Sequence, residues 1–111
     1  MSYLRADVTR LSFVMSAEVI NLSCYKFAPL DELETLRTTL QESAKANGLK
    51  GTILLAPEGI NFFLAGTRSQ LEAILDVIRA VPGLAGIAPK ESPSSAQTFK
   101  RMLVKIKKEI I

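Results

Sequence analysis

The alternation of apolar and polar positions predicts a first strand at residues 18–27. In the segment EVINLSCYKF, Ile20, Leu22 and Cys24 share one face, and the residues between them share the other. A period of two is typical of a strand that is buried on one side only.

Two amphipathic helices are predicted from the spacing of apolar residues. Asp31 opens a stretch with helical spacing, and Asn47-Gly48 supplies its stop signal. Thr67, followed three residues later by Gln70, forms the pattern of a capping box, which starts a second helix. The apolar stripe of that helix comprises Leu71, Ile74, Leu75 and Ile78.

The remaining apolar runs predict further strands. Residues 51–56 and 60–66 are separated by Pro57-Glu58-Gly59, a spacing that suits a hairpin. The order β-α-β-β-α-β with one further strand predicts an α+β, ferredoxin-like fold (split βαβ), with two helices on one face of an antiparallel sheet. A fourth strand is predicted near residues 84–88, a loop at residues 89–97 and a last strand at residues 99–111.

We expect one folded domain at residues 18–111, preceded by a flexible extension at residues 1–17. The 111 residues are enough for one hydrophobic core. The first residues contain no continuous apolar region and no cleavage site of a secretion signal. One hypothesis is that Met15 is the natural start of the protein.

The two hairpin strands are apolar on both faces, which predicts an interface. A sheet covered by helices on one side should be polar on the other. Leu54 and Phe63 break this rule, so we expect their face to contact a partner chain or another part of the same polypeptide.

The residue types present exclude several kinds of chemistry. The chain has no histidine and one cysteine, Cys24, which excludes histidine-based triads and makes a zinc site improbable. A single cysteine forms no internal disulfide and fits a reducing cytoplasm. No apolar run approaches the roughly 18 residues of a membrane span.

The positive charge is concentrated at the end of the chain. The net charge is +3, and residues 100–111 hold five basic side chains against Glu109. Lysines on an edge strand can prevent edge pairing, or the cluster can contact phosphates; the residues alone leave both open. The candidate aromatic residues for base stacking are Tyr25, Phe62 and Phe63, if exposed.

Three further residues are candidates for chemistry. Glu58 lies in the hairpin turn, where it could act as a general base or hold a nucleotide hydroxyl; without a charged partner nearby, a turn role is favoured. Asn61 could cap the hairpin or touch a ligand, and the cap is favoured. Cys24 is expected to be an inert core residue because it lies on the apolar face.

Three spaced motifs resemble the N-terminal domain of the rhodanese-related tRNA uridine hydroxylases, a bacterial family. They are YKF at residues 25–27, LKGTILLAPEGIN at residues 49–61 and FKRMLVKIKKEI at residues 99–110. The resemblance implies an acylphosphatase-like domain that is followed in the family by a rhodanese domain, whose loop cysteine is required for activity. Cys24 does not match that cysteine, and acylphosphatase activity is not predicted because the loop after the first strand reads YKFAPLDE.

The resemblance also implies the reaction and the partners. The full-length protein would be an oxidoreductase that uses molecular oxygen to hydroxylate the wobble uridine of certain tRNAs to 5-hydroxyuridine. In this chain we expect no catalytic residue, cofactor or metal, and a cytoplasmic location without membrane contact. The expected partners are tRNA and the rhodanese domain, with a homodimer as a further option.

The roles implied for individual residues fall into two groups. Phosphate contacts are expected from Lys100, Arg101, Lys105, Lys107 and Lys108. A turn or interface role is expected for Tyr25, Lys26, Glu58, Gly59, Asn61 and Phe63. Met102 also matches the family, whereas Phe62 stands where the family often has a small or polar residue. The alternative is a structural or dimerisation domain of a rhodanese-type sulfurtransferase that does not contact RNA.

Overall fold

A computed structural model describes residues 19–94 and 96–109 of the chain. The extension expected at residues 1–17, the first residue of the predicted strand 18–27 and the last two of the predicted strand 99–111 lie outside these ranges. The strands are β1 (Val19–Phe27), β2 (Lys50–Ala56), β3 (Gly59–Gly66), β4 (Lys90–Ser94) and β5 (Met102–Ile106), and the helices are α1 (Leu33–Ala46) and α2 (Arg68–Arg79).

The five strands form one sheet in the order β4-β1-β3-β2-β5. β1 pairs antiparallel with β3 and β4, and β2 pairs antiparallel with β3. β5 lies beside β2 and runs parallel to it, so the sheet is mixed. The predicted α+β, ferredoxin-like fold is confirmed, and β5 is the further strand.

The two helices cover one face of this sheet and close a single core. α2 begins with the predicted capping box, because the Thr67 hydroxyl accepts from the Gln70 N–H while the Gln70 side chain accepts from the Thr67 N–H. α1 begins two residues after Asp31, with Glu32 in the left-handed conformation at φ 51°. The largest fully buried side chains are Leu40, Leu49, Ile53, Leu55, Ile60, Phe62, Leu64, Ile74, Ile78 and Leu84.

The fourth strand lies later in the chain than predicted. Residues 84–88 form turns in which the Leu84 N–H donates to the Val81 oxygen and the Ile87 N–H donates to the Leu84 oxygen. Leu84 and Ile87 are buried because they anchor this loop to the core. β4 occupies Lys90–Ser94 instead, within the segment predicted as a loop.

β5 is held on both sides. On one side, the Gly51 N–H donates to the Arg101 oxygen and the Lys107 N–H donates to the Leu55 oxygen. From α1, the Gln41 amide donates to the Met102 oxygen at 3.0 Å and accepts from the Val104 N–H at 3.2 Å. The backbone groups of successive strand residues point to opposite edges of the strand. Gln41 therefore pairs with part of the edge of β5 that faces away from β2.

Gly51 of β2 lies at a position beside β3 that leaves no room for a side chain. Its φ is +133°, and a Cβ at this position would lie 2.1 Å from the carbonyl oxygen of Phe63. Real Cβ atoms do not come this close to backbone oxygens, so any larger residue must displace one of the two strands.

Candidate nucleic-acid interface

The five predicted phosphate-contacting residues lie in and on either side of β5, and we call them the basic strip. All five side chains are exposed, and the described residues provide no ion-pair partner for any of them. Within β5, Met102 and Val104 are buried, whereas Lys105 is exposed. The basic strip comprises Lys100, Arg101, Lys105, Lys107 and Lys108.

The sheet face turned away from the helices is the second element of the site, and we call it the open face. Strand register and alternation define its members. No carboxylate belongs to this face in the described part of the sheet. Its members are Val19, Asn21, Ser23, Tyr25 and Phe27 of β1; Lys50, Thr52, Leu54 and Ala56 of β2; Asn61, Phe63 and Ala65 of β3; Lys90, Ser92 and Ser94 of β4; and Leu103 and Lys105 of β5.

The large apolar side chains that are exposed in the described chain all lie on the open face. They are Tyr25, Phe27 and Phe63, with 46%, 53% and 49% of their surface accessible. The rings of Tyr25 and Phe27 meet edge to face, with centroids 5.1 Å apart. Phe63 is therefore not covered by the helices, and contact of this face with a partner stays a prediction.

A shallow depression of about 510 Å³ lies between the two central strands and the loop before β4. Tyr25 and Phe63 line it with their rings, and Asn61 and Ser23 add an amide and a hydroxyl. Lys90 lies on the same face, and Lys26 borders the depression from the end of β1. We call this the aromatic depression. Its lining combines aromatic, hydrogen-bonding and cationic groups.

The open face is bounded at both ends. At one end, the Gln97 side chain donates to the Ala65 oxygen at 3.0 Å, and Thr98 and Phe99 border a groove shared with Phe63. At the other end lies the hairpin turn at residues 57–58. The open face therefore ends at these two loops and is exposed to solvent between them.

The hairpin turn has a structural role in the described chain. The backbone carbonyl oxygen of Glu58 accepts from the Ala28 N–H at 2.9 Å, and that of Pro57 accepts from the Leu30 N–H at 3.0 Å. These bonds fix the loop between β1 and α1. Gly59 is buried beside this turn, so it lies inside the fold and offers no side chain to a ligand.

Two titratable groups of β1 have shifted pKa values. Desolvation, and secondly the Glu58 carboxylate, raise the pKa of Tyr25. Burial likewise raises the pKa of Cys24, against smaller opposing effects of the Tyr25 backbone, Lys26 and Arg79. The Cys24 thiol packs partly against the core, and its raised pKa disfavours the reactive thiolate.

The structure brings some of the predicted site residues together and separates others. Tyr25, Asn61 and Phe63 meet on the open face, and Lys105 ends the same cross-strand row as Tyr25 and Asn61. Three strand spacings separate Tyr25 from Lys105, or about 14 Å. The prediction that Phe62 could stack a base was wrong, because that ring is wholly buried.

Two lysines of the open face were missed by the sequence interpretation. Lys90 lies opposite Ser23 in β4, a strand that the apolar pattern did not reveal because its residues are mostly exposed. Lys50 begins β2 and pairs with Ala65. The alternation of β2 places Lys50 in phase with Thr52 and Leu54, which was the available signal.

Residues 19–94 and 96–109 contain no group of three or more His, Cys, Asp or Glu side chains arranged to hold a metal ion. Within the same ranges, neither helix is long and apolar enough to cross a membrane.

Comparison with solved structures supports the fold. The dark-state structure of the BLUF protein BlrB matches with a TM-score of 0.66 at 19% identity, over 86% of this chain and 77% of that one. Acylphosphatase from Bacillus subtilis matches with a TM-score of 0.59 at 14% identity, over 78% of this chain and 97% of that one. At these identities the likeness concerns the fold alone.

Sequence relatives carry a consistent name. The tRNA uridine(34) hydroxylase of Cupriavidus necator is 57% identical over 94 residues, and that of Delftia acidovorans is 54% identical over 95 residues. These matches cover 85% and 86% of this chain but 33% and 36% of the relatives, so the chain spans about a third of their length. Residues 19–110 match the profile of the UPF0176 acylphosphatase-like domain, and the chain belongs to this family.

Proposed function

We propose that this chain is the tRNA-binding module of a tRNA uridine hydroxylase and that the basic strip holds the phosphate backbone of the tRNA. The observation that carries the proposal is the basic strip itself, whose five exposed cations have no ion-pair partner among the described residues. Clustered, unpaired Lys and Arg side chains release counterions when they meet phosphates, which drives binding. The names of the relatives support tRNA as the polyanion.

We assign the oxygen-dependent oxidation to a rhodanese domain outside this module. The chain spans about a third of its relatives, which leaves room for such a domain. In the described chain, Cys24 is partly buried and has a raised pKa, which fits a structural thiol. The module then contributes binding and orientation of the tRNA, and the rhodanese domain supplies the chemistry.

The test is a charge reversal in the basic strip. Lys105→Glu combined with Lys107→Glu should weaken binding of an unmodified tRNA transcript by the 111-residue chain about tenfold or more at low salt. The slope of log affinity against log salt should become shallower by about one for each phosphate that the variant no longer neutralises. Fluorescence anisotropy across a salt series measures both quantities.

A matched control reverses a charge on the helix layer. Arg37 is a cation of α1 that is paired with Glu34 at 3.1 Å. Arg37→Glu changes the net charge as much as Lys105→Glu alone, but it should leave the salt slope unchanged. If both single variants weaken binding equally, only net charge matters. If the double variant changes neither affinity nor slope, the chain is a structural or dimerisation domain without RNA contact.

A further inference from the structure

We propose that the open face is a stacking platform for unpaired nucleobases, with the aromatic depression as its central subsite. The inference rests on the proposed function and deepens it: the basic strip holds phosphates, and the open face selects single-stranded RNA over duplex. Tyr25 and Phe63 stack on bases, and Asn61 and Ser23 offer hydrogen-bonding groups to base edges.

The positions of the rings carry the first step of the argument. Tyr25 and Phe63 lie on the adjacent strands β1 and β3, in diagonal positions: Ser23 pairs with Phe63, and Tyr25 pairs with Asn61. Residues at such diagonal positions lie about 7–8 Å apart. Both rings line one depression and are about half exposed. Exposed rings on adjacent strands of a sheet are a common way to stack two or three bases of single-stranded RNA.

The charge of the open face selects the occupant. Lys90 lies beside the aromatic depression, in the edge strand β4. Lys105 lies on the same face in β5, at the opposite edge of the sheet. Lys50 adds a third cation; no described strand residue of this face is a carboxylate, and the Glu58 carboxylate, which acts on Tyr25, belongs to the hairpin turn beside it. A polyanion with flat apolar groups matches both properties, because its phosphates can pair with the lysines while its bases cover the rings.

The aromatic depression has room for a planar base. About 510 Å³ lies within the usual range of small-ligand pockets.

The experiment compares single-stranded and duplex RNA. Fluorescein-labelled oligouridylate of about ten nucleotides should bind the 111-residue chain more tightly than a duplex of the same length at equal salt. Tyr25→Ala and Phe63→Ala should each weaken oligouridylate binding by roughly five- to a hundredfold, the usual effect of removing one stacking ring. Neither variant should change the salt slope, because neither removes a cation.

Two further variants separate stacking from bulk. Tyr25→Phe keeps the ring and should bind within about twofold of the original chain. Phe63→Leu keeps apolar volume without a ring, so it should weaken binding nearly as much as Phe63→Ala. A face that docks a protein should instead tolerate Phe63→Leu.

A spectroscopic readout reports stacking independently of affinity. The chain has two tyrosines and no tryptophan, so Tyr3→Phe leaves Tyr25 as the sole source of tyrosine fluorescence. Oligouridylate should quench this emission and shield it from iodide. Sedimentation of the same samples shows whether the open face joins two copies of the chain.

Each outcome decides between the proposals. If ring variants have no effect and Lys105→Glu still weakens tRNA binding, the stacking platform is wrong while the proposed function stands. If neither RNA binds, both proposals fail. If Phe63→Leu behaves like the original chain and Phe63→Glu disrupts a dimer seen by sedimentation, the open face is a protein interface.

Discussion

Two adjacent phenylalanines illustrate how strand alternation divides buried from exposed positions. Phe62 is wholly buried beneath the helices, whereas Phe63 is about half exposed on the open face. Phe62→Ala should lower the free energy of unfolding by about 3–5 kcal/mol through lost burial and a residual cavity. Phe63→Ala should cost less than about 1 kcal/mol. Urea unfolding followed by circular dichroism measures both, and equal losses would contradict the assignment of faces.

Cys24 gives the fold a dependence on alkaline pH. Its folded pKa is raised above the ordinary value of 9.0 because burial disfavours the thiolate. The stabilising contribution of the neutral thiol is therefore complete below about pH 9 and is lost as the pH rises towards the folded pKa. The stability difference between the original chain and Cys24→Ala should shift in favour of the variant from about pH 8 to about pH 10. Thermal unfolding across this range measures the shift, and a constant difference would contradict it.

The phase of individual side chains was predictable where one face of a strand is apolar. Ile20, Leu22 and Cys24 share the helix-facing side as the alternation indicated. The exposure of Phe63 and the burial of Phe62 could not be separated, because both residues are apolar and both faces of the hairpin looked alike. Only the position of the helices decides which of the two rings is covered.

At the scale of elements, the Gln41 amide connects a helix to an edge strand. Gln41→Leu removes two hydrogen bonds, to Met102 and Val104, and should lower the free energy of unfolding by about 1–3 kcal/mol. The amide of Val104 should then exchange with deuterium faster. Hydrogen exchange followed by NMR tests this, with the core strand β3 as the reference that should change only with global stability.

The Gln41 variant also separates strand position from strand charge. The basic strip keeps all five cations in Gln41→Leu, yet β5 is no longer hydrogen-bonded to α1. Weaker tRNA binding without a change in salt slope would mean that the position of β5 contributes to binding. Unchanged exchange at Val104 would contradict the bridging role of Gln41.

The order of elements was predictable from the sequence, and the place of β4 was not. Helical spacing and the Thr67–Gln70 capping box define α2 correctly. β4 lacks buried residues because it is an edge strand on the side of β1, so apolar periodicity carries no signal for it. Leu84 and Ile87 drew the prediction to the wrong segment, since burial in a loop looks like part of a strand pattern.

At the scale of the molecule, most carboxylates lie with the helices, and the sheet side carries lysines. The helices and the residues leading into α1 carry most of the carboxylates, and some of their cations are already paired, as Arg37 is with Glu34 and Arg68 with Glu91. The open face and the basic strip carry lysines instead. We expect this arrangement to guide a polyanion towards the sheet.

The candidate interface was only partly predictable from the sequence. The basic strip follows from the charge count at the end of the chain, and the exposure of Lys105 agrees with the strand alternation. The aromatic depression does not follow, because it joins Tyr25, Phe63 and Lys90 from three strands. Their assembly depends on the register of β1 with β3 and β4, which no local pattern reveals.

The lack of space at Gly51 separates two reasons why a position in this chain can be intolerant to substitution: loss of folding and loss of RNA binding. Every larger residue there meets the Phe63 oxygen, so a library of variants should lose folded protein at Gly51 whatever the assay. At Tyr25, by contrast, variants should remain abundant and fail only when selected for RNA. A selection for growth could show Gly51 and Tyr25 as equally intolerant to substitution. Measuring the amount of folded protein in the cell would then distinguish them, because only the Gly51 variants should be depleted.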